Sequence, residues 1–127
     1  MTKTVAEAIV AAARFADALN APQEPARVRE AFTAEAAIER MGVFERQGEL
    51  VEEFQGHEQI SAWLSRTPEG IQFSVAGVEA AADGSWRARY GYKVLSDGFE
   101  HGGTWLIKLS EDGRIRWLRH DPDPLNT

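Results

Sequence analysis

The sequence predicts an α+β domain, with helices early in the chain and antiparallel strands late. Three observations carry that expectation. Residues 4–19 place apolar side chains at helical spacing. Residues 86–94 and 99–109 alternate with period two instead. Asp97-Gly98 and Asp112-Gly113 are turn dipeptides set between apolar runs. Helices that precede a run of antiparallel strands pack on one face of a curved sheet.

The first predicted helix, Thr4 to Leu19, has a stripe of Val5, Ile9, Ala12, Ala13, Ala16 and Leu19, with Phe15 beside it. Thr4 or Thr2 caps its start, and Asn20-Ala21-Pro22 ends it. A second short helix runs from Glu24 or Pro25 to Phe32, with proline suited to its first turn. Ala36 to Met41 reads as a short strand. In Gly42 to Phe54, the apolar islands Val43-Phe44 and Leu50-Val51 flank Gln47-Gly48 and suggest a hairpin. His57 to Ser65 is the third helix, with Ile60, Trp63 and Leu64 on one face and His57 toward solvent. Ile71, Phe73 and Val75 alternate with Gln72 and Ser74 and form a strand.

The stretch Ser85 to Asp121 is expected to build a pocket wall. Trp86, Ala88, Tyr90, Tyr92 and Val94 share one strand face; Arg87, Arg89, Gly91 and Lys93 share the other. In the next strand Phe99, His101, Gly103, Trp105, Ile107 and Leu109 fall together, and Leu106 on the opposite face breaks the pattern. Two Tyr, a His and two Trp on these apolar faces each need a polar partner, which few ordinary cores supply in such number. On the last strand, periodicity buries Ile115, Trp117 and Arg119.

Composition narrows the function. The 127 residues suit one domain, 1–127, with its own core. There is no run of membrane-spanning length and no signal-peptide core at Met-Thr-Lys-Thr. The lack of cysteine excludes thiolate chemistry and fits a cytoplasmic setting. A net charge of −6 argues against nucleic acid as a partner, although residues 86–119 are basic where 1–60 are acidic. The alternating Arg and Lys read equally well as a solvated sheet face. The three His lack metal-ligand spacing, so neither a metal nor another cofactor is expected.

Three stretches resemble the nuclear transport factor 2-like superfamily and, within it, the SnoaL-like polyketide-cyclase group. They are Ala31-Phe32-Thr33-Ala34-Glu35-Ala36, the helix Gly56-His57-Glu58-Gln59-Ile60-Ser61-Ala62-Trp63-Leu64, and Asp112-Gly113-Arg114-Ile115-Arg116-Trp117 leading to Asp123-Pro124-Leu125. Their order and spacing span nearly the whole chain. The resemblance implies a cone: a bent antiparallel sheet wrapped around three helices, the cystatin-like α+β barrel, with a cavity at the wide end. It also implies a homodimer. On the last strand it points Leu118 and His120 into the cavity, against the periodicity; a bulge would reconcile the two.

Fold does not name a reaction here, and the departures from known members matter. The group's common Asp is Ala36 in this chain. The Arg-x-Asp pair of the epoxide hydrolases falls on Tyr90 and Tyr92, and their last-strand Asp falls on His120. The isomerase carboxylate pattern is not recognisable.

The chemistry expected is therefore that of an apolar, oxygen-bearing small molecule in a pocket lined by Trp63, Tyr90, Tyr92, His101, Trp105 and His120. Tyr90 and Tyr92 are donors for a carbonyl oxygen, or core aromatics with satisfied hydroxyls. His101 or His120 is a base working near neutral pH, or a satisfied rim residue. Gly102-Gly103 admits close approach of a ligand or a helix. Of Glu39 and Arg40 only one points inward, as a base or as an anion anchor. If the protein is an enzyme, the class is cofactor-free isomerisation, cyclisation or dehydration; the alternative is a non-catalytic binding or dimerisation module.

Overall fold

A computed structural model describes residues 3–44 and 46–125. Helix α1 spans Val5–Asn20 and opens on a reciprocal cap: the Glu7 amide donates to Thr4 Oγ1, and the Thr4 amide donates to the Glu7 carboxylate. Its buried face is Ala8, Ala11, Ala12, Phe15, Ala16 and Leu19. That corrects the expected stripe, because Val5 is 46% exposed and Ile9 49%. Bulk decides the rotation. Phe15 buries completely and meets Phe32 and Trp105 at centroid distances of 5.4 and 4.5 Å.

Helix α2 (Pro25–Ala31) hands over at once to strand β1 (Phe32–Met41), four residues earlier than expected. Strand β2 (Leu50–Gln55) pairs with β1, so Leu50-Val51 does belong to a hairpin strand, but the partner strand ends at Met41 and Val43-Phe44 lies outside it. Helix α3 (Gly56–Leu64) follows, with Ile60 and Leu64 buried. His57 is not solvent-facing: its Nε2 lies 2.8 Å from the Phe32 carbonyl, where the ring N–H donates.

Strands β3 (Ile71–Ala80), β4 (Trp86–Val94), β5 (Glu100–Leu109) and β6 (Ile115–Pro122) complete the sheet. The order is β2-β1-β6-β5-β4-β3, so the sheet is curved but unclosed, with β2 and β3 at its edges. The pairing of β1 with β6 is parallel; the others are antiparallel.

Register shifts mark bulges, which bend a sheet and re-aim side chains. One lies on β3 between Val75 and Gly77. Another lies on β6, where Leu109 faces Ile115 but Lys108 faces Trp117. This second bulge settles the conflict on the last strand. Ile115 and Leu118 are both buried completely, and His120 follows Leu118 onto the same face. Trp117 and Arg119 therefore turn outward, against the periodicity reading.

All three helices pack on the inner sheet face. Phe15, Phe32, Ile38, Ile60, Leu64, Trp105, Ile107, Ile115 and Leu118 form the centre of one core. Burying a side chain of this size stabilises by roughly 1.5–3 kcal/mol. Among the described residues, no helix is long and apolar enough to cross a membrane.

Candidate functional site

At the end of the sheet where Tyr90, Tyr92 and His101 sit, the interior opens into a hollow of about 360 Å³. β4 and β5 supply these three because Tyr92 pairs with His101 and Tyr90 with Gly103, all on the inner face. β6 adds His120, which pairs with Trp105. Trp63 comes from α3 and Phe73 from β3. The Asn20 side chain holds Phe73 at the sheet edge: its Oδ1 accepts from the Phe73 amide at 2.6 Å, and its Nδ2 donates to the Phe73 carbonyl at 3.0 Å.

The geometry sorts the sequence-predicted residues. Trp63, Tyr90, Tyr92, His101 and His120 line the hollow. Trp105 does not, and this corrects its expected place in the wall: it is fully buried in the core behind Tyr90 and His120. Of the adjacent pair on β1, Arg40 lines the hollow and Glu39 turns outward to Arg119 at 3.0 Å. Asp121 is exposed. What approaches Gly103 is neither a ligand nor a helix. A Cβ there would meet the Asp121 carbonyl at 2.5 Å, Pro122 Cα at 2.7 Å and Tyr90 Oη at 2.7 Å. The glycine thus admits the Tyr90 hydroxyl and the neighbouring strand.

Sequence reasoning missed Arg66, Leu19, Ile71 and Phe73 as lining residues. For Ile71 and Phe73 the signal existed in their shared alternation. Arg66 lies in an irregular turn after α3, where no period applies. It meets Glu52 at 2.8 Å, and Arg40 meets the same carboxylate at 2.7 Å. The hydrogen bonds from Arg66, then those from Arg40, pull the Glu52 carboxyl down to about 2 against the opposing effect of burial.

The polar groups converge on an aromatic stack. Tyr90 lies flat on Trp105, with centroids 4.6 Å apart, and stacks on His120 at 5.2 Å. The Trp63 edge meets His120 at 5.3 Å. Tyr90 Oη lies 3.5 Å from His120 Nε2, and Trp105 Nε1 donates to His120 Nδ1 at 3.1 Å. Burial, reinforced by the nearby Arg40 charge, pulls the His120 imidazole down to about 3. The ring is neutral at physiological pH. Burial first, then the charges of Tyr92, Asp123 and Asp121, raises the Tyr90 phenol well above its ordinary value, so it stays protonated. The Nε2 of His101 is buried without a hydrogen-bond partner among the described residues.

The hollow therefore offers the Tyr90 phenol and the neutral His120 imidazole inside largely apolar walls, with the Arg40 and Arg66 side chains also on its lining. No carboxylate lines it among the described residues. Likewise, no group of three His, Cys, Asp or Glu among them is placed to hold a metal ion.

No family model matches the sequence, and no curated protein matches it in a sequence search. Solved structures do resemble it in shape. An NTF2-like protein of unknown function from Mesorhizobium loti is 20% identical, covering 97% of this chain and 96% of its own, with a TM-score of 0.69. A SnoaL-like family protein from Agrobacterium tumefaciens, proposed to be an isomerase, is 18% identical over 93% of this chain and 98% of its own, with a TM-score of 0.72. A protein of unknown function with a cystatin-like fold from Methylobium petroleophilum is 15% identical over 100% and 82%, with a TM-score of 0.74. At such identities the shared property is the fold.

Proposed function

We propose that this chain, which has the NTF2-like fold, is a cytoplasmic pocket protein that binds an apolar, oxygen-bearing small molecule. One observation carries the reading: the Tyr90 hydroxyl and the His120 imidazole, 3.5 Å apart, end an apolar hollow large enough for a compact ligand. The aromatic walls suit a flat molecule, and its oxygen would take the phenol proton as a hydrogen bond.

Tryptophan fluorescence tests this, since Trp63 forms part of the wall. Titration with flat aromatic ketones is expected to change the emission. Tyr90→Phe, which deletes one hydrogen bond worth about 0.5–1.5 kcal/mol, is expected to weaken binding by roughly 2- to 12-fold. No response to any of them at high micromolar concentration overturns the reading.

Chemistry at this site would be cofactor-free proton transfer beside a carbonyl. A histidine takes a proton from the carbon next to the carbonyl, and the electron pair moves to the oxygen that Tyr90 holds. The second reading is binding without turnover in the same hollow. Exchange of those carbon-bound protons for deuterium, followed by NMR, separates the two: accelerated exchange supports the enzyme, and none at saturating ligand supports the binder.

A homodimer through the outer sheet face belongs to the same proposal. It is supported by Trp117, which turns outward between Lys108 at 5.1 Å and Arg119 at 5.4 Å. Sedimentation at micromolar concentration tests it, with a monomer mass as the contrary result.

A further inference from the structure

The polar end of the hollow has a direction set from behind. An indole N–H only donates, and the indole of Trp105 reaches His120 Nδ1 at 3.1 Å. Nδ1 must therefore hold a lone pair, which excludes the imidazolium. A neutral imidazole has one ring proton, and with Nδ1 accepting, it sits on Nε2. We infer that Trp105 fixes His120 as its Nε2–H tautomer, so that the Tyr90–His120 end of the hollow donates only and selects a ligand oxygen that accepts. The ligand class is a ketone or its enolate, preferred over an alcohol or a hydrocarbon of the same shape. The inference rests on the pocket reading above for its ligand half alone.

The consequences run outward along the chain of contacts. Nε2–H faces Tyr90 Oη at 3.5 Å, so the phenol oxygen is the acceptor in that pair. The phenol proton is left to be given to a ligand, and each donor in such a chain polarises the next. A histidine held in this state is an electrophile and not a base. Any base role then falls to His101, whose Nε2 has no partner among the described residues. Trp105, buried completely and absent from the wall, acts as a positioning residue through His120.

Nitrogen-15 NMR of the imidazole rings reads the tautomer without any ligand. In the unaltered protein near pH 7, His120 is expected to show a protonated Nε2 and a bare Nδ1. A proton on Nδ1, or on both nitrogens, overturns the inference. Trp105→Phe keeps an aromatic ring but removes the N–H and is expected to give a mixture of tautomers; an unchanged His120 spectrum in a folded variant contradicts the role of Trp105. The unaltered protein's spectrum stands even if that variant fails to fold.

The ligand half is tested by calorimetry with 2-acetylnaphthalene, 2-isopropenylnaphthalene and 1-(2-naphthyl)ethanol. The ketone is expected to bind on the order of tenfold more tightly than the hydrocarbon and more tightly than the alcohol. Equal affinities overturn it. Binding of none removes the pocket reading and the ligand half together, while the ring spectrum still decides the tautomer.

Discussion

Strands β4 and β5 carry one alternating pattern from end to end, yet their two ends meet different fates. At one end Ala88 pairs with Trp105 and Trp86 with Ile107, and Phe15 fills the space above them. At the other, Tyr90 pairs with Gly103 and Tyr92 with His101, and the interior stays open. The strands alone do not decide between core and cavity. The helix opposite does: α1 brings a large ring over the first end, whereas Leu19 and Trp63 only rim the second.

The sharpest way to break this contrast is at the filled end. Phe15→Ala is expected to cost about 3–5 kcal/mol of stability. Urea unfolding checks it, and a loss below 1 kcal/mol would mean that the filled end is not close-packed as described.

The next effect lies at the open end and depends on pH. The folded state holds His120 down to about 3, against 6.5 when free. Between these values the unfolded chain binds the extra proton, so stability rises with pH across that window. The contribution of His120 is complete above pH 6.5 and is lost as pH falls toward 3, on the order of a few kcal/mol. His120→Gln keeps an acceptor for Trp105 but does not titrate. Its unfolding free energy is expected to fall less steeply with acid than that of the unaltered protein; parallel curves contradict the assignment.

A smaller effect is expected at the seam between the ends. Gly103→Ala presses a Cβ onto the Asp121 carbonyl, Pro122 Cα and Tyr90 Oη. About 1–3 kcal/mol of destabilisation follows, with weakened ketone binding because the phenol must move. The smallest is Asn20→Ala, which frees the Phe73 backbone at the sheet edge and costs about 1 kcal/mol. Faster hydrogen exchange at the Phe73 amide is the readout.

The same contrast explains what the sequence revealed. The inner face of β4 and β5 was legible because strict period two needs no tertiary information. Periodicity misread the facing of His120, since the β6 bulge inserts a residue that no local pattern announces; the family resemblance had pointed it inward, where it lies. Trp105 and Tyr90 share that inner face, and only the position of Phe15 makes one of them core and the other wall. The stripe on α1 was misjudged because a helix rich in alanine offers several similar faces, and the burial of Phe15 chose among them. Arg40 and Glu39 alternate, so their facing followed from register with β6, where Glu39 stands opposite Arg119.

The most direct test of the account is to map the backbone amide shifts caused by 2-acetylnaphthalene, by NMR, onto the chain. Shifts clustered at Tyr90, Tyr92, His101 and His120, with Ala88 and Ile107 unmoved, are the predicted result. Shifts centred on the Phe15 end, or scattered over the outer sheet face, would contradict it.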